Sequence, residues 1–227
     1  MNFGESRSLV IPISGGIDSV YCAYAAKGAG LQVKLLHLDA KKDASTMEYH
    51  TSKRTAIDLG LPLEVVDIDG LRKLQLGHLP IENIRADELD MSGDPMPAHD
   101  ITGFYVLLSV SSYYAQIVGA DAVVVGVVKD QADERPEIST GFSMFAGGIS
   151  KINPKAKPLS ILSPLLEMDK SEVINEAFAA GVPLSETWSC TSAGYQHCGV
   201  CISCGERRAG FLRSNHKDLT VYVSDQS

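Results

Sequence analysis

Two groups of residues in this 227-residue chain carry the means for chemistry. The first is Ser14-Gly15-Gly16-Ile17-Asp18-Ser19, set between the apolar run Leu9-Val10-Ile11-Pro12-Ile13 and a run of small residues that reads as a helix. A β-rich run that stops at Ser-Gly-Gly and continues into Asp18, Ser19 and Val20 predicts a strand, a tight glycine turn and a helix start. Glycines leave the backbone bare, so its N–H groups can approach an anion closely. Asp18 and Ser19 suit the first turn of a helix whose positive dipole end would face the same anion. The ligand this geometry favours is phosphate or pyrophosphate. The second group is Cys190, Cys198, Cys201 and Cys204, crowded into a stretch too short to build a hydrophobic core of its own. Four thiolates in tetrahedral arrangement suit Zn²⁺, and a closed four-ligand shell leaves no position for a metal-bound water, which makes the expected role structural. An iron–sulfur cluster also takes four cysteines, and spacing alone does not separate the two. His197 would be a fifth donor and is expected to be a solvated side chain. Cys22, among Tyr21, Ala23 and Ala25, reads as a small buried hydrophobe.

The elements that must position these groups follow from the hydrophobic pattern. Leu9 to Ile13 is a strand and Ser19 to Ala29 a helix ending at Gly28 and Gly30. Gln32 to Leu38 is a second strand, Ser45 to Leu59 a helix stopped by Gly60 and Pro62, and Leu63 to Ile68 a third strand. That βαβαβ order predicts a parallel, doubly wound sheet whose ligands sit beyond the carboxyl ends of the strands. Gly70 to Asp100 has weak periodicity and reads as a long functional loop. Ile101 to Val118 is helical, and Ala122 to Val128 is a strand whose β-branched run predicts burial on both faces. Lys129 to Ile149 reads as loop-rich, Pro158 to Pro164 as a short core segment, and Asp169 to Ala180 as a helix capped by Asp169 or Ser171. The expected division is a main domain over 1–184 and a cysteine-bearing segment over 185–227 packed on it.

Bulk properties narrow the class. Hydrophobic residues make up 44% and charged residues 21%, ordinary for a globular enzyme. A formal net charge of -8 argues against non-specific binding to a nucleic-acid backbone. Met1 to Arg7 has no apolar signal-peptide core, and no segment reaches the roughly 18 apolar residues of a membrane span, so the expected location is the cytoplasm. In that reducing compartment, clustered cysteines point to metal rather than disulfides.

Ser-Gly-Gly-x-Asp-Ser is not the Gly-x-x-x-x-Gly-Lys-Ser/Thr loop of kinase-like nucleotidases, which occurs nowhere in the chain. It resembles the PP-loop of ATP pyrophosphatases, enzymes that cleave ATP between the α and β phosphates and pass AMP to an oxygen of the substrate. The C-terminal half makes the resemblance more specific. Pro164-Leu165, Asp169-Lys170-Ser171-Glu172-Val173, Gly181-Val182-Pro183, Glu186-Thr187-Trp188-Ser189-Cys190 and Cys198-Gly199-Val200-Cys201-Ile202-Ser203-Cys204, with Arg207 and Phe211, stand in order and spacing. Together with the loop they are similar to the 7-cyano-7-deazaguanine synthase family of the queuosine pathway.

That resemblance implies an adenine nucleotide α-hydrolase-like fold and a ligase using ATP, Mg²⁺ and a structural Zn²⁺. The implied reaction takes 7-carboxy-7-deazaguanine with ammonia through the amide to the nitrile. Ser14, Gly15, Gly16, Asp18 and Ser19 would hold the departing pyrophosphate, Leu38 would belong to the nucleotide-binding set, and Lys170, counted with Asp18 and Ser19 as catalytic, would offset phosphate charge. On the base-recognition side, Pro136 and Glu137, with Asp130 and Phe142 in step, match the stretch that meets the deazaguanine, and a carboxylate there would accept from its N–H groups. Two segments depart from the family pattern. Asp39-Ala40-Lys41-Lys42-Asp43 replaces a Tyr-Gly-Gln-Arg-His type segment, and Pro97-Ala98-His99-Asp100 replaces Pro-Gly-Arg-Asn, leaving His99 where a permanent cation is expected. They motivate a second reading, a paralogue that stops at the amide or joins the deazaguanine to an amine on a protein or nucleic acid. A PP-loop sulfur transferase acting on tRNA would need a reactive cysteine near the loop, where only Cys22 stands. From another class comes a non-catalytic nucleotide-binding zinc module, which ATP hydrolysis to AMP would eliminate. The family also implies a homodimer.

Overall fold

The computed structural model describes residues 1–71, 73, 101–130 and 137–225. Among these residues the strands are β1 (Ser8–Pro12), β2 (Gln32–Asp39), β3 (Leu63–Asp67), β4 (Ala122–Val124) and β5 (Ser160–Leu162). The helices are α1 (Ile17–Gly28), α2 (Ser45–Leu59), α3 (Ile101–Val118), α4 (Ile138–Ile152), α5 (Lys170–Ala179) and α6 (Ile202–Arg213). All strand pairs are parallel, in the order β3-β2-β1-β4-β5. β1 pairs with β2 on one side, Leu9 opposite Val33 and Ile11 opposite Leu35, and with β4 on the other, Val10 opposite Val123. The chain winds outward through β2 and β3, then crosses to add β4 and β5. The reversal falls between β1 and β4, the place where doubly wound sheets open a crevice for ligands.

Alternation along β1 divides the core between the two faces of the sheet. Leu9 and Ile11 join α1, α5 and Leu165 in one cluster, while Val10 joins Leu36, Val123 and the inner faces of α3 and α4 in the other. All three β1 residues are fully buried, as a central parallel strand requires. Phe211 of α6 belongs to the first cluster, so the segment after residue 184 packs directly on the main core.

The doubly wound sheet expected from the sequence is the one found, with three local differences. The strand after Gly119 ends at Val124 rather than Val128; beyond it Val125 donates to Leu162 O at 2.9 Å, and Val127 and Val128 stay buried outside the strand. The stretch Lys129 to Ile149, expected to be loop-rich, contains most of α4. Its apolar stripe runs Ile138, Phe142, Phe145, Ala146, Ile149, a helical period that the intervening Gly141, Gly147 and Gly148 obscure. Helix α6 was not foreseen, because its first turn lies inside the cysteine cluster. Most of the predicted Gly70–Asp100 loop lies outside the described residues. Among the described residues no helix is long and apolar enough to cross a membrane.

Asp121 fastens the amino ends of β1 and β4. Its carboxylate accepts from the N–H of Arg7 and Ser8, both at 2.9 Å, and pairs with Lys157 at 2.7 Å. The Lys157 ammonium and the two N–H groups hold this carboxyl down at about 2, below its ordinary 3.8. A carboxylate depressed in the folded state stabilises it above the ordinary value and loses that contribution as pH falls. Asp121→Asn is therefore expected to destabilise the fold at pH 7, and urea unfolding followed from pH 7 down to pH 2 should show the gap to wild type closing at the acid end.

Candidate functional site

The loop after β1 has a backbone that only glycine follows at one point. Gly15 has φ +80°, and a Cβ there would lie 2.8 Å from Thr51 Cβ and 3.1 Å from Glu48 O, both on α2. Gly16 then caps α1 in an extended conformation with no side-chain cap. The two serines fold inward across the turn: Ser14 N donates to Ser19 Oγ at 3.3 Å, and Ser19 Oγ donates to Gly16 O at 3.2 Å. The start of α1 thus presents first-turn N–H groups that no side chain caps, at the carboxyl edge of the sheet and beside the strand-order reversal. That is the setting in which helix N-termini take anions.

Two other elements hold the strand end that delivers the loop. His37, 1% exposed on β2, donates from Nδ1 to Ile13 O at 2.9 Å, and Ser52 of α2 donates to the same carbonyl at 3.2 Å. Ile13 N in turn donates to Leu36 O at 2.8 Å. Glu48, one turn before Ser52, has its carboxyl pushed up by burial. None of His37, Glu48 and Ser52 was singled out from the sequence, since each acts through a neighbour distant in the chain.

Across the crevice stands Lys170, the first residue of α5. Its Nζ donates to both carboxylate oxygens of Asp18, at 2.8 and 2.7 Å, with the two side chains 16% and 19% exposed. Lys170 is aimed by a capping box: the Asp169 carboxylate accepts from Ser171 N at 2.8 Å and Glu172 N at 3.0 Å, and Glu172 accepts from Asp169 N at 2.8 Å. Asp169, of the two caps expected, is the one used. Two glycines missed in the sequence make room for the pair. A Cβ on Gly126, just after β4, would lie 3.1 Å from Asp18 Cβ, and one on Gly210 of α6 would lie 2.7 Å from Lys170 Cγ. Gly126 had a visible signal, as the sole interruption of the Val123 to Val128 run.

The remaining candidates spread further. Leu38 is half-buried two residues beyond Leu36, which pairs with the last residue of β1. Asp130 is exposed, and Glu137 is exposed at the N-cap of α4. Phe142 is 4% exposed in the α3–α4 core, its ring 5.6 Å from Phe104. His99 and Pro136 lie outside the described residues.

Cys190, Cys198, Cys201 and Cys204 bring their sulfurs within 4.8 Å of one another. Cys198 and Cys204, like Cys201 and Cys190, stand 4.0 Å apart, far beyond a disulfide and near the edge of about 3.8 Å that tetrahedral Zn–S bonds imply. Backbone N–H groups converge on the sulfurs: Ser192 and Cys198 donate to Cys190, Val200 and Cys201 to Cys198, and Cys204 to Cys201, at 3.3–3.4 Å. Contact with Cys204 and these donors pull the Cys190 thiol below its ordinary value. Four sulfurs gathered within 4.8 Å and wrapped by N–H groups fit a metal ion held by four thiolates. Cys22, by contrast, is fully buried, and burial pushes its thiol up, consistent with its expected packing role.

His197 corrects an expectation. It is 5% exposed rather than solvated, accepts from Ser189 N at 3.1 Å through Nε2, and packs 4.3 Å from the Trp188 ring. Burial and the Arg207 charge lower its pKa to about 4, which keeps it a neutral acceptor at pH 7. Arg207, fully buried on α6, donates to Thr187 Oγ1 at 2.8 Å, Leu184 O at 2.7 Å and Ser189 Oγ at 3.3 Å. The 184–189 segment so fixed returns to the loop, where Trp188 N donates to Gly15 O at 2.8 Å.

Comparison with known proteins agrees with this arrangement. Residues 8–215 match the family described as "Queuosine biosynthesis protein QueC". The chain belongs to that family. Among QueC relatives, the 7-cyano-7-deazaguanine synthase of Campylobacter hominis is 30% identical over 220 residues, spanning 94% of this chain and 99% of that protein. The synthase of the same name from Acinetobacter baylyi is 31% identical over 230 residues, 97% of each chain. Of solved structures, NMN synthetase from Francisella tularensis aligns with a TM-score of 0.51 at 19% identity over 96% of this chain and 90% of that one. An NH3-dependent NAD synthetase from Campylobacter jejuni aligns with a TM-score of 0.51 at 18% identity over 80% and 67%. At such identities the likeness of this QueC-family chain to them is one of fold.

The Gly15 geometry carries a direct expectation. Gly15→Ala should destabilise the protein by about 1–3 kcal/mol, through both its positive φ and the contact with Thr51. Gly28→Ala, where nothing lies within 4 Å, should leave stability unchanged or raise it by about 0.4–1 kcal/mol. Urea denaturation of the two variants beside wild type measures the contrast.

Proposed function

We propose that this QueC-family chain is an ATP-dependent carbon–nitrogen ligase that converts 7-carboxy-7-deazaguanine, with ammonia, to the amide and then to 7-cyano-7-deazaguanine. The observation that carries the reading is the uncapped Ser14–Ser19 loop facing Lys170, in a chain whose relatives are named for that product.

A carboxylate at neutral pH is a poor electrophile, and adenylation gives it a leaving group. A carboxylate oxygen attacks the α-phosphorus of ATP, the bond from that phosphorus to the bridging oxygen breaks, and pyrophosphate departs. Ammonia adds to the acyl carbon, loses a proton, and AMP leaves with the former carboxylate oxygen. A second ATP adenylates the amide oxygen, and loss of AMP and protons leaves the nitrile. Ser14, Gly15, Gly16, Asp18 and Ser19 receive the pyrophosphate through N–H and hydroxyl donors. Lys170, released from Asp18, offsets the charge that accumulates on the departing oxygens. The family resemblance assigns Leu38 to the nucleotide and His99, Asp130, Pro136 and Glu137 to the deazaguanine, with Phe142, buried between α3 and α4, supporting that side from within the core. The Asp18 carboxylate would suit Mg²⁺ as a ligand, and the ion would supply further neutralisation of phosphate charge. Cys190, Cys198, Cys201 and Cys204 would hold Zn²⁺ in a structural role. The protein acts in the cytoplasm as a homodimer.

A second reading rests on the turn after β2. There Lys41, with φ 52°, pairs with Asp39 and approaches Asp67 at 3.8 Å, and Lys42 N donates to Ser45 Oγ at 2.8 Å. A turn whose charges satisfy one another at the ligand-facing end of the sheet, in place of the family's Tyr-Gly-Gln-Arg-His type segment, favours a changed acceptor. The chain would then stop at the amide or use an amine on a protein or nucleic acid.

Incubation with 7-carboxy-7-deazaguanine, ammonium and Mg²⁺-ATP separates the readings by product mass. The nitrile with two AMP per turnover is expected from the first reading and amide alone from the second; absence of AMP overturns both. Lys170→Ala is expected to lower kcat/KM by about a hundredfold or more, as loss of a charge-stabilising donor does.

A further inference from the structure

The metal-ligand cluster and the phosphate loop share one short segment, and its backbone faces both. Trp188 N donates to Gly15 O at 2.8 Å, while the next amide, Ser189 N, donates to His197 Nε2 at 3.1 Å beside the ligand Cys198. The Trp188 carbonyl also lies close to the loop, 3.7 Å from where a Cβ on Gly16 would stand. Gly15 is held from the opposite side by α2, through Thr51 and the Glu48 carbonyl, so the positive-φ residue is gripped between a helix and the 188 segment.

Arg207 fixes the backbone of that segment at Leu184, Thr187 and Ser189, and the cysteine knot packs against its Trp188 ring. The Trp188 ring is 5% exposed in a cluster with Cys190, Cys204 and Tyr222, with Met47 of α2 against it. Its indole N–H has no hydrogen-bond partner among the described residues, so packing on the knot, rather than a polar contact, positions the ring. Cys190 and Cys204 sit fourteen positions apart in the chain and meet beneath the indole, where α6 is also tied to the 184–189 segment by Arg207. A metal gathering the thiolates would fix the surface beneath the indole, and with it the amide that donates to Gly15.

We propose that Trp188 is a positioning residue through which metal loading of the four-cysteine knot sets the shape of the phosphate loop, and hence its affinity for pyrophosphate. The inference rests on the reading of Ser14–Ser19 as a pyrophosphate cradle and of the cysteines as a metal site. It adds that the metal, although it touches no substrate, is coupled to nucleotide binding through one backbone hydrogen bond.

The test uses the full chain, loaded with zinc, as wild type, Trp188→Ala and Trp188→Phe. Metal content, hydrogen exchange without ligand and calorimetric binding of inorganic pyrophosphate are read for each. Trp188→Ala is expected to keep the wild-type metal content yet bind pyrophosphate about tenfold more weakly, with faster exchange in the peptide spanning Ser14–Ser19. Trp188→Phe, which keeps an aromatic ring and loses only an unpartnered N–H, should stay close to wild type. Stripping the metal from wild type should reproduce the alanine phenotype while the amides of β1 and β4 remain protected. Loop exchange and pyrophosphate affinity that are unmoved by Trp188→Ala at full metal content, or by metal removal, would overturn the proposal. Pyrophosphate that fails to bind loaded wild type would overturn the cradle reading and the affinity claim with it, an outcome told apart by the exchange data, which need no ligand.

Discussion

The bidentate contact between Lys170 and Asp18 joins the first turns of two helices whose residues stand 152 positions apart, and it closes the crevice at the carboxyl edge of the sheet. Its two partners are delivered by separate devices. Asp18 arrives through a strand, a positive-φ glycine and an uncapped helix start; Lys170 arrives through a capping box that fixes where α5 begins. Neither helix alone makes a site. Together they put a paired ammonium beside a row of uncapped backbone donors, which is the charge arrangement that the proposed pyrophosphate release requires. Room for the pair comes from residues that lack a side chain, Gly126 and Gly210, so the site is shaped as much by omitted atoms as by present ones.

The loop is also supported from behind. His37 and Ser52 share the Ile13 carbonyl, α2 presses on Gly15, and the 184–189 segment returns from the main core to donate through Trp188. Arg207 fixes that segment while being fully buried, a costly placement for a guanidinium that its bonds to Thr187, Leu184 and Ser189 and its pairing with Asp218 at 3.4 Å offset. The cysteine knot thus packs as part of the structure that holds the loop.

What was legible in the sequence was local. Ser-Gly-Gly-x-Asp-Ser after an apolar run and the close spacing of four cysteines each encode their geometry within a few residues, and the βαβαβ order follows from hydrophobic periodicity. What was hidden depended on contacts between distant segments or on competing signals. Three glycines masked the stripe of α4, and the start of α6 lay within the ligand set, with Cys201 itself as N-cap. His197 looked like a surface residue beside a ligand because nothing in its neighbourhood announces the Ser189 amide or the Trp188 ring that bury it. Family resemblance assigned Lys170 a phosphate-neutralising role, but its contact with Asp18 was not legible, since spacing across such a separation carries no geometric information.

The most direct measurement of the central claim, that this site transfers AMP to a carboxylate oxygen, is the fate of that oxygen. With 7-carboxy-7-deazaguanine labelled with ¹⁸O in its carboxylate, one turnover in the presence of ammonium should place a single ¹⁸O in the phosphate of AMP, read by mass spectrometry. Unlabelled AMP, or label appearing in inorganic phosphate instead, would contradict adenylation at this loop and the mechanism built on it.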